Sequence, residues 1–406
     1  MKTICITNND VIMKTMNVLL AFSVSLLMAA CLSETTETDP QSLPKDAKLT
    51  VTLQGTSSVS RSTGATVPTT ENTINRVVVG VFFSNNSTNV IKEFTAADLT
   101  AGGGTANLYC AGASDAQTVV VVANAPAGTF AGTTNLSGFI GKTLALSETL
   151  KDASGNPQSY QTSVNLPMSG SVSSVIAQGA TAATATVPIY RLVSRVSLSS
   201  VKTQFDANGL YPNAKFKVTD VFLYNGNSVS SVDPGTANPA TLSTPLSGIN
   251  DSGTTVTSWL THSIAGTSTG GTTATDILPA STVYWFYTFG NATANQTKLV
   301  IKGEWDENGD GDILDSGEGV VYYPVIINKL QPGTVINDGS NNIGSSDNTA
   351  HKGDGVILRN STYNVSAVIK GKGSNSPGTD VIPAYLSVTI NVQEWGLNLT
   401  QSVVFE

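Results

Sequence analysis

Residues 306–318, DENGDGDILDSGE, are the one ligand-like cluster in this 406-residue chain. Asp306, Asn308 and Asp310 alternate and Gly311 follows, the pattern in which the first half of an EF-hand loop converges oxygens on Ca²⁺ around a sharp turn. Asp312 and Glu318 complete the candidate calcium set. The match then breaks down. Gly317 occupies the position that needs a glutamate, Glu318 comes one place late, and predicted strands rather than helices flank the stretch. An acidic hairpin loop is the plainer explanation, and bound calcium would only stiffen it.

Other chemistry finds little footing, and no cofactor beyond that calcium ion is expected. The two histidines, His262 and His351, sit in Ser/Thr/Gly-rich surroundings that read as loops. There is no nucleophile elbow and no paired-histidine metal spacing, and AGGGTAN (residues 101–107) lacks the lysine and the helix that a phosphate-cradling loop needs. An enzyme is therefore not expected. Tyr284, Trp285, Phe286, Tyr287 and Phe289 form an aromatic run that reads either as a sugar-stacking platform or as core. Strand alternation puts Tyr284, Phe286 and Thr288 on one face and Trp285, Tyr287 and Phe289 on the other, so at least one face is expected to pack inside.

The elements that must position these groups are strands. Only 12% of residues are charged, while Thr and Val suit a pleated surface and Gly and Asn suit tight turns. The net charge of −8 offers no basic patch for phosphates, so nucleic acid is not an expected partner. Residues 1–30 read as an export signal: Lys14 precedes VLLAFSVSLLMAA (residues 18–30), too short to span a membrane. MKT recurs at Met13, an alternative start. LLMAAC resembles the lipobox of bacterial lipoproteins, which nominates Cys31 for lipid attachment; a plain secretory cut near Ala30 is the other reading. Glu34, Glu37 and Asp39 suit a solvated tether. With Cys5 in the signal and Cys31 acylated, Cys110 reads as a small apolar core residue.

Strong strand candidates include RVVVGVFF from Arg76, TVVVVAN from Thr118, AKFKVTDVFLYN from Ala214, STVYWFYTFGN from Ser281 and TKLVIKGEW from Thr297. GVVYYPVIIN from Gly319, TYNVSAVIKGKG from Thr362 and AYLSVTINVQEW from Ala384 join them. ATATVPIYRLVSRVSLSSV from Ala183 reads as one long strand running between domains, with the boundary near residues 190–195. Continuous apolar runs such as Val119 to Val122 suit strands covered on both faces. Residues 135–150 carry helical spacing through Phe139, Ile140, Leu144 and Leu146, which predicts a short helix in a crossover. Short strands at regular spacing with Gly/Asn/Asp turns favour two stacked β-sandwich domains.

The two ends of the chain share a pattern. Near the start, Leu49, Val51 and Leu53 are apolar at every second position, and a Ser/Thr/Gly/Pro stretch containing a lone Arg61 follows. Near the end, Leu397, Leu399, Val403 and Phe405 alternate in the same way. Both segments offer one apolar face to a groove, and an exposed apolar edge of this kind calls for a partner, although the pattern at the C-terminal end fits an internal edge strand of the second domain equally well.

NLPMSG (from Asn165), YRLVSRV (from Tyr190), FKVTDVFLYN (from Phe216), YWFYTFGN (from Tyr284), YYPVIIN (from Tyr322), LRNSTYNVSAVIKGKG (from Leu358) and VTINVQEW (from Val388) occur in an order that resembles the fimbrillins, the major structural subunits of lipoprotein-derived, type V pili. The resemblance covers essentially the whole chain after the signal. It implies a mainly β fold of two stacked β-sandwich (transthyretin-like) domains with one or two short helices. The expected organisation is a signal (1–30), a lipidated propeptide with the first strand (31–61), an N-terminal sandwich (62–190) and a C-terminal sandwich ending in a donor strand (191–406).

The resemblance also implies an assembly route. An outer-membrane lipoprotein precursor is cut by an arginine-specific protease, here between Arg61 and Ser62. The displaced strand carries Leu49, Val51 and Leu53, and a neighbouring subunit donates Leu397, Leu399, Val403 and Phe405 into the groove. The expected product is an adhesive extracellular fimbrium, most simply a homopolymer, whose host or bacterial ligand the sequence does not specify. The competing expectations are a tip or anchor subunit and a non-polymerising surface lipoprotein that binds glycan.

Overall fold

The computed structural model describes residues 48–54, 70–84, 89–100, 117–174, 182–235, 245–291, 295–338, 353–394 and 402–405. Cys31, Arg61, Ser62, Cys110, His351, Leu397 and Leu399 lie outside these residues. The chain is mainly β, as expected. Strands β1 (Lys48–Gln54), β2 (Arg76–Phe83), β3 (Val90–Thr95), β4 (Gln117–Ala123), β5 (Thr143–Ala145), β6 (Met168–Ser174), β7 (Ala182–Pro188) and β8 (Tyr190–Arg191) build the first unit. Next come β9 (Val193–Thr203), β10 (Lys215–Tyr224), β11 (Val229–Ser231), β12 (Thr261–Ser263), β13 (Thr269–Gly270) and β14 (Thr275–Asp276). The second unit is completed by β15 (Tyr284–Phe289), β16 (Lys298–Asp306), β17 (Gly319–Ile326), β18 (Thr334–Asp338), β19 (Ser361–Ile369) and β20 (Leu386–Glu394). The last strand, β21 (Ser402–Phe405), returns to the first unit.

The first unit is a sandwich. One sheet has the order β3-β2-β4-β6-β8, and the facing sheet is β21-β1-β7. Val119 to Val122 in β4 are fully or almost fully buried, which is why this strand reads as an unbroken apolar run rather than an alternating one. They share a core with Leu49, Val51 and Leu53 of β1 and Val187 of β7. The second unit packs β14-β9-β19-β20-β18, with β15 also on β9, against β12-β10-β16-β17. Val196, Leu198, Phe216, Trp305, Tyr323 and Tyr363 lie in its core.

Two expectations about local structure change. The long strand from Ala183 is three strands in three sheets, broken at Ile189 and Leu192, because the chain turns out of one sandwich, touches the facing sheet and enters the next. The expected helix at 135–150 is only Leu136–Ile140, capped by the Asn135 side chain, which accepts from the Gly138 amide. Beyond Gly141, Leu144 leaves the helical path because residues 143–145 pair with β11 of the second unit. A 3₁₀ turn, Leu146–Leu150, follows.

The two units are joined by side chains that serve both cores. Along β15, Phe286 packs in the second core while Tyr287 and Phe289 pack in the first. Trp285 leans on the first core and Tyr284 on the second. The alternation foreseen in the sequence is real, and both faces are used for packing.

Candidate functional site

The candidate site is β1 and the strands on either side of it. β1 forms because Thr and β-branched or γ-branched apolar residues alternate, which places Leu49, Val51 and Leu53 on one face. All three are buried in the first core. On one side β1 runs parallel to β7, from Lys48 opposite Ala182 to Gln54 opposite Pro188. On the other it runs antiparallel to β21, with Leu49 opposite Phe405 and Val51 opposite Val403. β1 is thus an interior strand with two partners, and β21 has β1 as its sole strand neighbour among the described residues. Within one chain the two amphipathic ends lie side by side, rather than being alternatives for one position.

The corner after β7 locks the far end of this sheet. The Ile189 amide donates to the Gln54 carbonyl at 3.0 Å. Gly170 of β6 passes so close beneath this corner that a Cβ there would overlap the Pro188 carbonyl oxygen. Only glycine fits, which gives NLPMSG its physical content.

Past the Arg61 stretch, the chain is pinned where the two units meet. The Glu71 carboxylate accepts from Arg195 Nη1 at 2.6 and 2.7 Å and from the Tyr287 hydroxyl at 2.7 Å. Arg191, fully buried, donates from Nε to the Glu71 carbonyl and from Nη2 to Asn72 Oδ1. Burial lowers the Arg191 guanidinium to about 10, against the pull of Glu71, so it remains charged at neutral pH. Burial, then the Glu71 charge, pushes the Tyr287 phenol well above its ordinary range and keeps it a donor. Gln161 adds a two-way clamp on the Tyr287 backbone, donating to its carbonyl and accepting from its amide, both at 2.9 Å. Sequence reasoning missed Glu71, Gln161 and this network. Arg191 and Arg195 lie in the YRLVSRV stretch, but nothing in the sequence says that their partner is a glutamate more than a hundred residues earlier.

The acidic stretch forms the β16–β17 hairpin, and several of its oxygens are turned onto its own backbone, while Glu318 Oε2 is buried with no hydrogen-bond partner among the described residues. Asp306 accepts from the Gly309 and Gly311 amides at 2.6 and 2.9 Å. Glu318 Oε1 accepts from the Glu307 and Asn308 amides. Asp310 and Asp312 accept from the amides two residues onward, while the Asn308 amide group donates to Asp310 and Asp315. Among the described residues no three His, Cys, Asp or Glu side chains are grouped to hold a metal ion. His262 is a packed side chain: its Nε2 donates to the Trp285 carbonyl at 3.1 Å and its ring lies 4.8 Å from Phe286.

Comparison with known proteins follows the same lines. Residues 47–247 match the family model of the major fimbrial subunit protein, FimA. No curated protein sequence matches the chain. Among solved structures, a fimbrilin from Porphyromonas gingivalis is 16% identical, covers 87% of this chain and 99% of its own, and superposes with a TM-score of 0.56. A candidate cell adhesion protein from Bacteroides eggerthii is 21% identical over 90% of this chain and 98% of its own, at a TM-score of 0.56. Another from Parabacteroides distasonis reaches a TM-score of 0.59 at 15% identity, over 88% of this chain and 99% of its own. At these identities the structures speak to the fold, that of two β-sandwich domains. The family is one of structural subunits of cell-surface fimbriae, not of enzymes. Through the match over residues 47–247, the chain belongs to the fimbrillin family of fimbrial subunits.

Proposed function

We propose that the chain is the precursor of a shaft subunit that polymerises by strand donation once β1 is removed. Export as a lipoprotein through Cys31 brings it to the outer membrane. An arginine-specific protease cuts after Arg61, and the fibre grows outward from the cell surface. The observation that carries this reading is the sheet order β21-β1-β7. Taking β1 away uncovers the β7 edge and the core that Leu49, Val51 and Leu53 fill, and it also removes the strand partner of β21. One cut therefore prepares both an acceptor and a donor.

The energies favour a covalent switch. Burying three such side chains is worth roughly 1.5–3 kcal/mol each, so β1 contributes on the order of 5–9 kcal/mol before ordering costs, comparable with the stability of a whole domain. While tethered, β1 re-enters its slot at high effective concentration. After the cut a dissociated β1 is dilute, and a neighbour's alternating strand, Leu397, Leu399, Val403 and Phe405, competes for the same edge by β-augmentation.

The test is to treat full-length precursor with an arginine-specific protease. Mass spectrometry should find Ser62 at the new N-terminus, and ladders or filaments should appear. Deleting residues 397–406 should leave cleavage intact and stop growth. Filaments that persist after the deletion would place the donor elsewhere.

A further inference from the structure

At the end of the second unit away from the first lies a cavity of about 600 Å³, within the range of small-molecule sites. Four segments converge on it: the turn after β9, the loop before β14, the end of β19 and the 3₁₀ turn Pro383–Tyr385 that leads into β20. Buried Phe205 contributes to its lining, and Tyr211 and Tyr385 stand edge to face with ring centroids 5.6 Å apart. Trp305 supports them from below, 5.2 Å from Tyr211 and 5.6 Å from Phe205. The Tyr385 ring lies over Gly371, where any Cβ would collide with it, so the ring is seated on bare backbone. The frame is tied by backbone bonds from Gln204 to Ile369, from Phe205 to Gly271 and from Lys370 to Tyr385.

Polar heads edge these rings without being used by the fold. Gln204, Asp206 and Lys370 are all exposed. The Lys370 ammonium and the Gln204 side-chain amide make no hydrogen bond or ion pair among the described residues, and there the Asp206 carboxylate accepts only from the nearby Asn208 amide. One positive and one negative group leave the lining without net charge. An aromatic wall rimmed by uncommitted donors and acceptors, on a pre-formed frame, matches a ring with apolar C–H faces and a hydroxyl edge.

We propose that this cavity is a saccharide-binding site, taking a neutral pyranose unit of a glycan against Tyr211 and Tyr385, with Gln204, Asp206 and Lys370 holding its hydroxyls. The proposal goes beyond the assembly reading and does not depend on it, since β1 lies in the other unit. It also differs from the aromatic run at residues 284–289, whose rings are committed to the two cores.

The experiment titrates full-length protein with neutral tetrasaccharides of glucose, mannose, galactose and N-acetylglucosamine, read by saturation-transfer-difference NMR and by Trp305 fluorescence against a Trp305→Phe control. At least one sugar should bind, with transfer concentrated on the C–H protons of one ring face. Tyr385→Ala should weaken it about tenfold, the scale of losing one aromatic contact. Because that variant removes a packed ring, the exposed pair Gln204→Ala/Lys370→Ala, with an unchanged melting curve, should weaken the same sugar about fivefold or more. No transfer from any sugar at 10 mM overturns the proposal, as does binding that both variants leave intact. So does a face that binds no sugar but whose Tyr385→Ala variant abolishes self-association, since that would make it a subunit contact.

Discussion

Glu71→Ala should unfold the junction between the two sandwiches far more than its single charge suggests. The substitution takes the Glu71 carboxylate from the Arg195 guanidinium, only 11% exposed, beside the fully buried Arg191. Two bonds from Arg195 and one from Tyr287 lose their acceptor together. Removing one partner of a buried pair costs about 3–5 kcal/mol, because the remaining charge stays desolvated. At roughly 2–4 °C per kcal/mol, the melting temperature should fall by about 6–20 °C. Scanning calorimetry and urea unfolding of the parent, Glu71→Ala, Glu71→Gln and Glu71→Leu/Arg195→Met provide the reading. Glutamine keeps an acceptor for Tyr287 and should fall in between, while the double apolar variant should recover part of the loss, because it removes the Arg195 charge but still takes Glu71 from Arg191 and Tyr287. A loss below about 1 kcal/mol for Glu71→Ala, or a double variant no better than the single, would show that the pair is solvated and that the reasoning is wrong.

Four further outcomes are expected. Gly170→Ala should cost about 3 kcal/mol or more, read as a drop in urea midpoint, since its Cβ meets the Pro188 backbone rather than a movable side chain. Burial holds the His262 imidazole below its ordinary 6.5, so as pH falls the unfolded chain takes up the proton first; stability is full above about 6.5 and declines as pH drops through the lowered folded value. His262→Phe should flatten that slope between pH 7 and 5. Asp306→Ala should cost about 2 kcal/mol by orphaning two glycine amides, while calorimetry with millimolar Ca²⁺ should give no heat, because both Asp306 oxygens and Glu318 Oε1 are already taken up by amides.

Much of this architecture can be read directly from residue patterns. Leu49, Val51 and Leu53 alternate because one face is buried, and Val119 to Val122 do not because both are. The alternation along Tyr284 to Phe289 is equally plain, yet period two cannot say that its faces serve different cores. Leu144 kept helical phase with Phe139 and was captured instead by a strand of the other unit, a tertiary pairing that overrides local spacing. Ile189 and Leu192 look like strand interior: Pro188 is the single mark of the first break, and nothing of that kind precedes the second. The Glu71 cluster was illegible for another reason: its members are ordinary surface-type residues, and only the fold brings residues 71, 191, 195 and 287 together. The place of β21 beside β1 is likewise a matter of topology. Two similar amphipathic ends look like rivals in sequence and turn out to be neighbours in space.

The central claim is that β1 must leave before subunits can join. Thr50 and Thr184 are opposite each other in the β1–β7 register, at the spacing of adjacent strands, about 4.8 Å, which a disulfide spans. Full-length Thr50→Cys/Thr184→Cys, with Cys110→Ala to remove the competing thiol, should be cut after Arg61 whether oxidised or reduced. Light scattering and electron microscopy should then find monomers from the oxidised protein and filaments once reductant is added. Filaments growing equally fast with the disulfide closed would contradict the account.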